Sequence, residues 1–160
     1  MAEKTAREEA QRLIAENRKA RHDFHILETF EAGVVLLGTE VKAIREGRVN
    51  LRDSYARVEN EEVWLLNVHI SPYSHRGYAQ HAEMRQRKLL LNRHEIRKLV
   101  GKTAEKGLTL VPLDMYFSKG RVKVRLALAK GKQAHDKRET IRKREVDRET
   151  RAAVKGRSRD

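Results

Sequence analysis

The apolar positions of this chain change period several times, and each change marks an element. In "RVKVRLALA", Val122, Val124, Leu126 and Leu128 point one way while Lys123 and Arg125 point the other, the pattern of a half-buried strand. "LTLVPLDMYFS" precedes it, and the intervening Lys119–Gly120 predicts a hairpin. "NLRDSYARV" and "EVWLLNVHI" flank "ENE" and predict a second hairpin. "FHILETF", "EAG" and "VVLLG" predict a third, with Gly33 in its turn, Phe24, Ile26 and Glu28 on one face and His25, Leu27 and Thr29 on the other. "RKLLLN" is a short strand. Elsewhere the period is helical. "GTEVKAIREG" places Val41, Ala43 and Ile44 on one side, with Thr39 as cap and Gly47 as stop. "RHEIRKLVGKTAEKG" places Ile96, Leu99 and Val100 on one face, weakened by Gly101. Residues 3–17 are strong helix formers without Gly or Pro. Residues 71–86 form a polar loop.

About six hairpin-linked strands with short helices predict a mainly β protein, an antiparallel sheet closing as a small barrel with accessory helices. The oligonucleotide-binding (OB) barrel is one such solution. From Lys130 onward the alternation stops. Glu139–Lys143 and Asp147–Arg151 are favourable i,i+4 pairs, each contributing about 0.2–0.5 kcal/mol. Ordering one residue's backbone costs about 1–2 kcal/mol, and Ile141 and Val146 offer little burial to offset it. The tail is therefore expected to be disordered alone and helical against a surface.

Charge sharpens this. The 160-residue chain is 39% hydrophobic and 37% charged, with a net charge of +13. Residues 130–160 carry 12 Lys and Arg against 6 Asp and Glu, nearly half of the excess. Such a balance points to a polyanionic partner, above all nucleic acid. Arg18, Lys19 and Arg21 cluster before the first expected strand, and Arg85, Arg87 and Lys88 before "LLLN". Both clusters can bond phosphates; Lys42, Arg45 and Arg48 project from the helix between them. With 5% aromatic residues, a continuous row of base-stacking platforms is not expected, which favours a folded RNA read by shape, phosphates and 2′-hydroxyls.

Other chemistries find little support. There is no cysteine, no phosphate-binding glycine motif and no histidine set at metal-ligand spacing, so neither cofactor nor metal is expected. The longest apolar runs are too short to span a bilayer, and the N-terminus is not a secretory signal, so a cytoplasmic protein is expected. A non-enzymatic binding protein results, with a barrel-type ribosomal or ribosome-assembly protein as the competing reading.

The stretch "AENRKARHDFHILETFEAGVVLLGTEVKAIREGRVNLRDSYARV" closely resembles the SsrA-binding proteins, the small protein B (SmpB) family. "EVWLLNVHISPY", "RKLLLNRHEI", "GLTLVPLDMYF", "VKVRLALAKGK" and "HDKRE" follow in the family's order, covering Ile14 to Arg151. The resemblance implies an OB-like barrel at 14–129, after a variable extension at 1–13 and before a basic tail at 130–160. It implies binding to the tRNA-like domain of transfer-messenger RNA (SsrA RNA) and delivery to stalled bacterial 70S ribosomes for trans-translation, with elongation factor Tu joining through the charged RNA. It places Asn17, Glu31 and Leu91 on the RNA-facing surface, to which charge adds Arg18, Lys19, Arg21, Lys42, Arg45, Arg87 and Lys88. It places the tail in the empty mRNA channel, with His135, Asp136, Lys137 and Arg138 near the decoding centre, Arg142 and Lys143 following, and Gly131 turning the chain out of the barrel.

Overall fold

The computed structural model describes residues 11–75, 80–105, 107–132 and 134–157. In chain order these form β1 (Gln11–Glu16), α1 (Arg18–Asp23), β2 (Phe24–Val34), α2 (Gly38–Arg45), β3 (Val49–Asn50), β4 (Tyr55–Glu59), β5 (Glu62–Leu66), β6 (His69–Ile70), β7 (Arg87–Leu90), α3 (Arg93–Thr103), β8 (Leu108–Ser118), β9 (Arg121–Gly131) and α4 (Ala134–Arg157). Seven strands make one antiparallel sheet in the order β1-β8-β4-β5-β7-β2-β9, and β8 and β9 also pair with each other. β3 and β6 form a separate two-stranded ribbon.

The strongest local signals produce the expected turns. Asn60 and Glu61 (φ 50° and 60°) join β4 to β5, and Lys119 and Gly120 (φ 52° and 74°) join β8 to β9. Both two-residue turns take the left-handed conformation that matches strand twist. The four alternating residues Val122, Val124, Leu126 and Leu128 are buried, packed with Met115, Leu110, Leu65, Leu89 and Ile44. Gly47 (φ 76°) ends α2 as expected. Gly101 stays inside α3, which buries Leu99, half-buries Ile96 and leaves Val100 exposed.

Three expectations are corrected. Residues 11–16 are strand rather than helix: β1 pairs with the end of β8, Leu13 opposite Tyr116 and Ala15 opposite Met115, and Ile14 and Ala15 pack on the core. Helix propensities differ by only tenths of a kcal/mol per residue, less than pairing and burial supply. Residues 1–10 lie outside the described residues. The third expected hairpin is one continuous strand, β2. Gly33 sits between Leu90 of β7 and Lys123 of β9, without positive φ. A Cβ there would lie 3.3 Å from the Leu90 Cβ, so close approach of strands, not a turn, explains the glycine. Thr39 does not cap α2. Its Oγ1 lies 3.0 Å from the His81 Nδ1, while the Leu37 N–H donates to Glu40 Oε1 at 2.8 Å.

Candidate nucleic-acid interface

α1 is a six-residue helix laid on the outer face of the sheet. Its start is set by Asn17, whose Oδ1 accepts from the Ala20 N–H at 3.2 Å. The same side chain donates through Nδ2 to the carbonyls of Leu51 (3.1 Å) and Pro112 (3.0 Å). Ala20 then packs on Val111, Leu113, Ala127 and Ala129, a second, smaller apolar cluster. This turns Arg18 and Lys19 outward. Arg18 is exposed and lies 3.7 Å from Glu16, Lys19 pairs with Asp53 at 2.6 Å, and Arg21 reaches Asp114 at 3.7 Å. Glu16, Arg18, Lys19, Asn50 and Arg52 border an open depression of about 300 Å³. Asn17 itself is only 4% exposed with both ends of its amide bonded, so its place is that of a buried clamp beneath the basic residues.

Beside α1 runs a polar network that sequence reasoning did not assemble. Glu31 on β2, Arg125 on β9 and Asp114 on β8 are laterally paired. Arg125 donates to Asp114 at 3.0 Å, and its guanidinium lies 5.6 Å from the Tyr116 ring centroid. The Tyr116 hydroxyl donates to Glu31 Oε2 at 2.6 Å. Burial, then the bonded Glu31 carboxylate, pushes the Tyr116 hydroxyl far above its ordinary value, so it remains a donor. Burial likewise raises Asp114, against the pull of Arg125 and Arg21. Glu31 is exposed and thus held by one oxygen while facing solvent. The signal was present in the hairpin register, which sets Asp114 and Tyr116 opposite Arg125 and Lys123.

Arg87 is corrected. It is fully buried, not on the surface. Its Nε donates to Glu40 Oε2 at 2.5 Å and its Nη1 to the Val68 carbonyl at 2.7 Å. Arg85 donates to the other oxygen of Glu40 at 2.5 Å. A guanidinium so enclosed has no face for a phosphate. Leu89, two residues on along β7, is buried too, so strand alternation carried the signal.

Lys88 and Leu91 fall together. They line an open groove of about 650 Å³ with Leu90, Ile96 and Val100, and both signs of charge border it, Arg93 and Arg97 as well as Glu61 and Glu62. Lys88 is half-exposed and pairs with Glu62 at 3.1 Å. Arg45 is exposed at the end of α2, and the Lys42 ammonium lies 5.3 Å from the Tyr73 ring centroid. Gly131 ends β9, and the following Lys132 N–H donates to the Asp23 carbonyl at 2.8 Å, tying the tail root to the end of α1. α4 then runs 24 residues with Arg138, Arg142 and Lys143 exposed. The side chains of His135, Asp136 and Lys137 lie outside the described residues. Among the described residues no helix is long and apolar enough to cross a membrane.

A family profile described as SmpB protein matches residues 14–156. An SsrA-binding protein of Syntrophobacter fumaroxidans is 62% identical over 141 residues, covering 88% of each chain. An SsrA-binding protein of Trichodesmium erythraeum is 58% identical over 156 residues, covering 97% of this chain and 99% of the relative. Among solved structures, a chain described under "tmRNA-SmpB: a journey to the center of the bacterial ribosome" superposes with a TM-score of 0.65 at 52% identity, covering 80% of this chain and 94% of that one. With the profile spanning nearly the whole chain and relatives this similar end to end, this protein belongs to the SmpB family of SsrA-binding proteins.

Proposed function

We propose that this protein binds the tRNA-like domain of SsrA RNA and acts with it on stalled bacterial ribosomes in trans-translation. End-to-end membership of the SsrA-binding family carries the reading. The cations turned outward by α1, Lys42 and Arg45 on α2, and Lys88 beside Leu91 support it as phosphate and groove contacts. Glu31, which would repel phosphate, fits as an acceptor for a 2′-hydroxyl or base amine. Asn17 acts from below, by fixing α1.

In this reading the sheet is an OB-like barrel forming an RNA-binding module over residues 14–129, in a cytoplasmic protein. Residues 130–160 form a second module that enters the empty mRNA channel, with His135 to Arg138 near the decoding centre and Arg142 and Lys143 on its phosphate walls. Gly131 is paired with Phe24 at the end of β9, without positive φ, so in this reading the turn between the modules follows Lys132 instead. Elongation factor Tu would join through the charged RNA.

Filter binding of the full chain to the SsrA tRNA-like domain and to a size-matched elongator tRNA tests the first step. Preferential binding of the former is expected. Equal binding of the two would reduce the activity to general polyanion affinity.

A further inference from the structure

After β6 the chain folds back over α2. The Ser71 N–H donates to the Arg48 carbonyl at 3.0 Å, Arg48 Nη1 donates to the Pro72 carbonyl at 3.4 Å, and the Ser74 hydroxyl lies 2.9 and 3.0 Å from the two Glu46 carboxylate oxygens. Tyr73 and Gln80 clamp each other, N–H to Oε1 at 2.9 Å and Nε2 to carbonyl at 3.2 Å. With the backbone so fixed, the Tyr73 and His75 rings stack, centroids 4.7 Å apart and planes 25° apart. His75 is exposed, exposed Arg48 reaches the neighbouring Pro72 carbonyl, and exposed Arg45 follows by one helical turn Lys42, whose ammonium lies 5.3 Å from the Tyr73 ring centroid. Glu46, the carboxylate in this patch, is occupied by Ser74 and faces Arg48 at 3.8 Å.

The Ser71 backbone bond and the side chains of Arg48, Ser74 and Gln80 already hold the loop, and Ser74 Oγ lies 3.3 Å from His75 Nδ1, so stacking the exposed imidazole on the tyrosine is not needed for that purpose. A π-surface open to solvent among cations is what an unpaired nucleobase requires: a ring to stack on and charges for its flanking phosphates. The patch is also within reach of α1. From Arg48 the chain passes through β3 to Arg52, at most about 14 Å for four residues of extended chain. Arg52 borders the same depression as Arg18 and Lys19.

We propose that the Tyr73–His75 stack receives one unpaired base of the bound RNA, while Arg45 and Arg48 take adjacent phosphates. The RNA strand would continue past Arg52 to α1. This inference rests on the SsrA RNA reading above.

The test is a base-reactive chemical footprint of the full chain on the tRNA-like domain of SsrA RNA, comparing wild type with His75→Phe and His75→Leu. One unpaired base should be protected by wild type and by the aromatic variant and become reactive with His75→Leu. The loss of stacking should weaken binding about tenfold at fixed salt. The slope of log K against log salt should be unchanged in His75→Leu, whereas Arg45→Ala and Arg48→Ala should each lower it by about one. Independently of variants, photocrosslinking wild type to 5-bromouridine-substituted RNA should label the peptide holding Tyr73 and His75. Unchanged protection and affinity in His75→Leu, or no label on that peptide, would sink the platform while leaving SsrA RNA binding intact. Failure of wild type to bind the tRNA-like domain would remove both readings.

Discussion

Glu40 has no exposed surface, yet its carboxylate serves Arg85, Arg87 and the Leu37 N–H at once. Burial alone would raise its pKa, but those bonds and the Arg87 charge together hold it below the ordinary 4.5. A depressed folded pKa means that Glu40 stabilises fully above the unfolded value and loses that contribution as pH falls through the lower folded one. Glu40→Gln should therefore cost about 3–5 kcal/mol near neutrality by urea unfolding, because it leaves Arg87 buried and uncompensated. Its deficit should shrink below about pH 4.5; a deficit independent of pH would remove charge as the cause. Asp114 behaves oppositely: its folded pKa is raised above 3.8, so its contribution is present at low pH and lost as pH rises through the folded value. Asp114→Asn should gain on wild type across that same rise, and a gap that widened the other way would contradict this. Asn17 offers a third residue-scale test. Aspartate is ordinarily as good a helix cap as asparagine, but here it would aim a carboxylate at the Leu51 and Pro112 carbonyls in place of two donors. Asn17→Asp should thus cost at least as much as Asn17→Ala, about 1–3 kcal/mol for lost buried bonds. Wild-type stability in Asn17→Asp would show that the amide bonds contribute nothing.

At the scale of elements, what could be read from sequence is what local chemistry decides. Asn60–Glu61 and Lys119–Gly120 are turns whatever surrounds them, and Val122 to Leu128 alternate because one face of β9 is core. What could not be read depends on partners far along the chain. β1 is written in helix formers and becomes a strand because β8, a hundred residues later, offers an edge. Gly33 looks like a turn until β7 and β9 close on either side of it. The basic residues show the same division. Arg18 and Lys19 read as surface and are surface, whereas Arg87 looks identical in "RQRK" and goes inside to meet Glu40, 47 residues away. α1 ties this division to function, since its short length leaves Ala20 to seat it on the sheet. Ala20→Leu overfills the site against Val111 and Ala127 and should cost about 1–3 kcal/mol. It should also weaken SsrA RNA binding without altering any charge, because Arg18 and Lys19 move with the helix. Wild-type affinity at reduced stability would show that α1 position does not matter to the RNA.

For the whole molecule, the question is where the RNA-binding part ends. Alternation stops at Ala129, but β9 continues through Gly131, with Lys130 opposite His25 and Leu108 and Gly131 opposite Phe24. The Lys132 N–H then closes on Asp23 at the end of α1. The boundary that leaves β2, β9 and α1 mutually bonded is therefore after Lys132. A chain cut there keeps 26 Lys and Arg against 17 Asp and Glu, a net charge of +9. What it loses is a helix whose described side chains are exposed, Ile141 and Val146 included, so the core loses no buried contact from them. The truncated chain should unfold at the wild-type urea midpoint and bind the isolated tRNA-like domain within about twofold. Each phosphate contact contributes about 0.7–0.9 to the slope of log K against log salt, so a slope that changes by less than about 0.5 means that the tail makes no phosphate contact with isolated RNA. Peptide tagging in an extract with stalled ribosomes should nonetheless be abolished. Cutting after Ala129 instead takes Lys130 and Gly131 from β9 and the Lys132 bond from α1, and should lower both stability and RNA affinity. Equal stability and RNA affinity in the two truncations would remove residues 130–132 from the barrel, and loss of RNA binding as complete as the loss of tagging in the longer one would make the barrel and the tail one binding unit.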